Sequence, residues 1–72
     1  MFMMPLTFAN LDEDNIVRMV GGKPETRQHL ENLGFVAGAR VRIVSKIGGN
    51  LIVRVKDARV AINREMAGKI FI

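Results

Sequence analysis

From residue 40 onward the chain alternates apolar and polar residues, and a two-residue period of this kind is the signature of half-buried strands. In residues 40–44, Val41 and Ile43 fall on one face and Arg40 and Arg42 on the other. In residues 51–56, Leu51, Val53 and Val55 share a face, opposite Arg54 and Lys56. Gly48-Gly49-Asn50 supplies the hairpin loop between these two strands. Asp57-Ala58 reads as a tight reversal into a third strand at residues 59–62. Asn63 is placed to cap one helical turn at residues 64–67, because its side-chain oxygen can accept from a free N–H of that turn. Gly68 ends the turn, and residues 69–72 form a last short strand with Ile70 and Ile72 on one face.

The first half carries one strand and one helix. Residues 15–20, rich in the β-branched Ile16, Val17 and Val20, read as a strand and stop at Gly21-Gly22. Two faces compete there: Val17 with Met19, and Ile16 with Val20. Arg18 shares the second face, so the first is the one expected to be buried. Residues 24–33 are helical. Pro24 suits the first helical position, where its missing N–H costs nothing. Glu25 places negative charge at the positive end of the helix dipole. Thr26, Leu30 and Leu33 fall on one face, while Arg27, Gln28 and Glu31 point to solvent. Gly34 then supplies the left-handed residue that terminates a helix, and Phe35 stands where a Schellman motif wants an apolar partner for Leu30.

Seventy-two residues make one domain, 1–72, with residues 1–5 expected to be loosely ordered. The true start is Met1, Met3 or Met4. A 49% hydrophobic fraction argues against disorder. Cysteine is absent, which removes disulfides, thiolate metal sites and thiol catalysis, and favours the cytoplasm for so small a domain. The apolar N-terminus has no basic flank and Pro5 interrupts it, so neither a signal peptide nor direct membrane insertion is expected. Five short strands cannot hide their apolar faces in a flat sheet, so the economical arrangement is a closed or nearly closed barrel with the helix inserted between the first and second strands.

The strand ending at Gly21-Gly22, the run Leu30-Glu31-Asn32-Leu33-Gly34-Phe35-Val36-Ala37-Gly38, then Val41-Arg42-Ile43-Val44, the Gly48-Gly49 hairpin, Leu51-Ile52-Val53, Val60-Ala61-Ile62 and the closing Ala67 with Ile70 together resemble the FeoA family. Ala37 departs from the family pattern, which often has proline there. The resemblance implies a mainly β fold, a small SH3-like barrel of about five strands, similar to the C-terminal domain of iron-dependent repressors. It also implies iron transport as the setting, in a family associated with transition metal ions. The implied role is that of a cytoplasmic accessory protein of ferrous iron uptake, with the membrane transporter and G protein FeoB as partner.

The residues themselves suggest action by binding rather than catalysis. Gly21-Gly22-Lys23-Pro24 lacks the lysine–hydroxyl pair of a phosphate-cradling loop and reads as a turn. Asp12, Glu13 and Asp14 form a solvated charge run with no neighbouring base. His29, the sole histidine, follows Glu25 by four residues, a spacing that makes a surface pair rather than a metal site. No catalytic, cofactor or metal residues are therefore assigned, and no small-molecule substrate. The net charge is +4, and Arg40, Arg42, Arg54, Lys56 and Arg59 form a possible nucleic-acid stripe. Four Phe and no Trp or Tyr argue against base stacking. A third reading is a free-standing relative of the repressor domain that docks on a regulator. The expected partner-binding corner is Leu33, Phe35 and Val36 beside the hairpin loop carrying Lys46 and Asn50.

Overall fold

Alternation from residue 40 onward produces a hairpin ribbon on which the rest of the chain is hung. The computed structural model describes residues 2–72, so Met1 lies outside the described residues. Strands β1 (Asp14–Ile16), β3 (Arg40–Ile47), β4 (Asn50–Val55) and β5 (Ala58–Asn63) form an antiparallel sheet in the order β1-β3-β4-β5. Strands β2 (Met19–Val20) and β6 (Ile70–Phe71) form a second antiparallel sheet. Helix α1 (Pro24–Asn32) lies between β2 and β3, and α2 (Arg64–Ala67) between β5 and β6. A 3-10 turn at Leu6–Phe8 precedes them.

The core fills the space between the two sheets. Val41, Ile43, Leu51, Val53, Val55 and Ile62 enter it from the large sheet, Val20 and Ile70 from the small one, and Leu6, Leu30, Phe35 and Ala67 from the helices and their ends. No polar or charged residue among the described ones is buried, so no side-chain hydrogen bond has to be satisfied away from water.

The helix ends as its sequence dictates. The Phe35 N–H donates to the Leu30 carbonyl (3.0 Å) and the Gly34 N–H to the Glu31 carbonyl (3.0 Å), the two bonds of a Schellman motif. Leu30 and Phe35 are both fully buried, Leu33 half so. Asn63 caps α2 as expected, its Oδ1 accepting from the Met66 N–H (2.7 Å).

Four local expectations are corrected. Residues 15–20 form two strands, not one, which raises the expected five strands to six among the described residues. The chain leaves the large sheet after Ile16 and joins the small one at Met19, so Val17 and Val20 are buried while Ile16 and Met19 are exposed. Neither expected face survives, because a strand that changes sheets also changes which side is inside. Second, β3 runs on to Ile47 through a bulge: Ile43 pairs with Val53, but Ser45 pairs with Ile52, leaving Val44 as the added residue. The bulge turns Ile47 outward and sets Lys46 opposite buried Leu51. Third, the hairpin loop is only Gly48-Gly49, since Asn50 pairs with Ile47. Fourth, Lys56 sits in the β4–β5 turn with φ 56° and not in a strand.

Residues 4 and 5 are also held. Met4 and Ile72 exchange two backbone hydrogen bonds (3.0 and 2.9 Å), and Pro5 bridges Phe71, so the N-terminal segment extends the small sheet beside β6.

Candidate functional site

The basic side chains that alternate outward from β3 and β4 meet on one face of the large sheet. Asp14 of β1 stands opposite Arg42 of β3, Arg42 opposite Arg54 of β4, and Arg54 opposite Arg59 of β5. Arg40 lies two residues from Arg42 and so on the same face. The result is a row across four strands, one acid and three arginines, which joins Arg42, Arg54 and Arg59 of the basic stripe expected from the sequence and adds Asp14 to it.

The face is concave. Residues Val36, Ala37, Gly38 and Ala39 rise beside it as a wall, and with Asp14, Arg40, Arg42, Arg54 and Lys56 they enclose an open groove of about 620 Å³. The wall is fixed to the barrel: the Gly38 N–H donates to the Val17 carbonyl (2.8 Å) and the Val17 N–H to the Ala39 carbonyl (2.8 Å). A further bond from the Ala39 N–H to the Val36 carbonyl (2.9 Å) closes the turn. Gly38 makes that turn with φ 92°, so Ala37 in place of the family's frequent proline does not leave it unformed.

Arg42 Nε donates to Asp14 Oδ1 at 2.9 Å, the one ion pair among the described residues. This hydrogen bond, with the charges of Arg42 and Arg40 adding to it, holds the Asp14 carboxyl below the usual aspartate range and raises the Arg42 guanidinium. A carboxyl depressed on folding contributes stability at neutral pH and loses it as pH falls through its folded-state value. An NMR titration of the Asp14 carboxyl is expected to show a midpoint lower than that of a free aspartate. Arg42→Gln should move it back up; an unchanged midpoint would mean that the pair does not form in solution.

The expected partner-binding corner is taken apart. Leu33, Phe35 and Val36 lie at the end of α1, near the base of the β3–β4 ribbon, where Gly34 packs against Val55. Lys46 and Asn50 lie at the other end of that ribbon, roughly 20 Å away at about 3.3 Å per residue. Phe35 is wholly buried and has no surface to offer. Lys46 Nζ donates to the carbonyls of Ala9 (3.2 Å) and Thr7 (3.4 Å), tying the N-terminal segment to β3. Val36 alone of the five is exposed at the groove, at 38%. Asp14 was absent from the expected site; its signal was the acidic run, but the pairing that aims it at Arg42 spans 28 residues. Glu25 and His29 are both exposed on α1. No helix among the described residues is long and apolar enough to cross a membrane.

Known proteins share this architecture. An Fe(2+) transport protein A of Methanocaldococcus jannaschii is 30% identical over 70 residues, covering 97% of this chain and 85% of that protein. The crystal structure of an iron uptake regulatory protein, FeoA, superposes with a TM-score of 0.87 at 25% identity, covering 97% of this chain and 95% of that one. The zinc complex of FeoA from Stenotrophomonas maltophilia, described as a procaryotic SH3 domain protein, gives a TM-score of 0.82 at 30% identity, covering 93% and 86%. A manganese-dependent transcriptional repressor shares the fold over 40% of its length, at 16% identity and a TM-score of 0.87. The barrel is thus SH3-like, as the resemblance implied. The family model for the FeoA domain matches residues 4–72, and the chain belongs to the FeoA family of ferrous iron transport accessory proteins.

Proposed function

We propose that the chain is a cytoplasmic protein that binds a FeoB-like membrane transporter of ferrous iron and modulates it. The supporting observation is the family match across residues 4–72, which accounts for nearly the whole chain with a transport accessory domain. The chain acts by docking, not by turnover. A docked protein changes its partner only by binding one state of it more tightly than another. Couplings of this kind are commonly about 1–3 kcal/mol, a 5–150-fold preference.

The test is affinity capture by the tagged chain from the native membrane and soluble fractions. The transporter is expected to be enriched from the membrane fraction, and Val36→Glu, at the wall of the groove, is expected to reduce its recovery severalfold. Recovery of a DNA-binding regulator from the soluble fraction, with no transporter, would replace this reading. The repressor likeness favours that second reading only at the level of fold.

A further inference from the structure

Three arginines in register on adjacent strands are a cost to the sheet, since like charges directly opposite destabilise it. A single carboxylate answers them. Arg40, Arg54, Lys56 and Arg59 have no carboxylate partner among the described residues, and Arg42 has only Asp14. We propose that this groove is a receptor for an extended acidic polypeptide segment, and that Asp14 competes with the segment's carboxylates for Arg42. That the segment belongs to the transporter rests on the functional reading above; its chemistry does not.

Five features select this occupant. Guanidinium groups match carboxylates in planar, two-bonded geometry, which ammonium groups do not. The open volume of about 620 Å³ is that of a cleft for a ligand or a short segment. The wall of Val36 to Ala39, fastened to Val17, makes the face concave, so a flat lipid surface does not reach its floor. No aromatic side chain lines it, so the stacking platform of a single-stranded nucleic-acid site is missing. Val36, Ala37 and Ala39 offer an apolar flank, suited to an aliphatic residue between acids.

The probe is a fluorescein-labelled peptide, Glu-Glu-Val-Glu-Glu-Gly, followed by anisotropy at physiological ionic strength, where long-range attraction is screened. Arg54→Glu is expected to weaken binding about tenfold or more, since it removes a charge-assisted contact and adds repulsion. Arg40→Glu should behave alike. Arg27→Glu makes the same change of charge on the outer face of α1 and is expected to shift affinity by less than about twofold. Asp14→Asn should tighten binding by freeing Arg42. Circular dichroism checks that each variant is folded. Equal losses for Arg54→Glu and Arg27→Glu, or no binding of the peptide, overturn the proposal. So does tighter binding of a uridine oligonucleotide or of phosphatidylserine vesicles.

Capture of the FeoB-like transporter separates the two claims. Capture by the native chain that is lost in Arg54→Glu supports both. Capture that Arg54→Glu leaves intact overturns the groove as the docking site and leaves the functional reading standing. Groove-dependent peptide binding with no capture of the transporter overturns the functional reading and leaves the receptor standing.

Discussion

Phe35→Ala is expected to cost about 3–5 kcal/mol, the range for deleting a fully buried aromatic side chain. Domains of this size have roughly 4–11 kcal/mol to lose, at about 0.05–0.15 kcal/mol per residue. The variant should therefore lose a large share of its stability. For 60–100 residues each kcal/mol moves the midpoint by about 4–8 °C, so a fall of roughly 12–40 °C is expected in a thermal melt followed by circular dichroism. Phe35 is fully buried and its N–H closes the end of α1 on the Leu30 carbonyl. Its neighbour Val36 is 38% exposed, and Val36→Ala should cost no more than about 0.5 kcal/mol. The contrast between adjacent positions is the informative result. A Phe35→Ala domain that melts like the native one but loses its partner would show that this side chain is a docking element and not a wedge in the core.

That position illustrates what local pattern does and does not reveal. The leucine–leucine–glycine–phenylalanine ending of α1 was readable because every interaction in it spans at most five residues, and glycine's freedom at positive φ is a property of the residue itself. The same holds for Asn63, whose cap reaches three residues on. What the pattern concealed was always a long-range choice. Residues 15–20 look like one strand because Ile16, Val17 and Val20 are strong strand formers, yet their pairing is divided between β3, more than twenty residues on, and β6 at the far end of the chain. The bulge at Val44 leaves no mark on composition, but it decides that Lys46 reaches the carbonyls of Thr7 and Ala9 and that Ile47 faces solvent.

The candidate site divides in the same way. Its arginines were visible as the polar half of two alternating segments. A stripe of Arg40, Arg42, Arg54, Lys56 and Arg59 was expected from them, but its order was not, because register sets Arg42 opposite Arg54 and Arg54 opposite Arg59 and the chain order does not. Asp14 read as one of three solvated acids until β1 placed it across from Arg42. The corner of Leu33, Phe35 and Val36 with Lys46 and Asn50 is split for the opposite reason: residues brought close in sequence by a single strand are held apart by that strand's own length.

Gly34→Val tests the left-handed helix end directly. Gly34 has φ 111°, a region that residues bearing a Cβ avoid, and a Cβ built there would lie 3.3 Å from Val55 Cγ2. Two penalties therefore act together. The backbone strain alone is about 1–2 kcal/mol. Overpacking against a core valine adds about 1–3 kcal/mol, and β-branching leaves few rotamers to relieve it. A total loss of roughly 2–5 kcal/mol follows, read as a lower urea midpoint with an unchanged denaturant slope. Gly38 separates the two contributions. It too has positive φ, 92°, but a Cβ there meets nothing within 4 Å, so Gly38→Ala should show the strain alone. Gly34→Ala should fall between the two. Equal losses for Gly34→Val and Gly38→Ala would mean that Val55 yields freely. Native stability in both would mean that neither glycine holds the left-handed geometry on which the end of α1, the groove wall and the placement of Phe35 all depend.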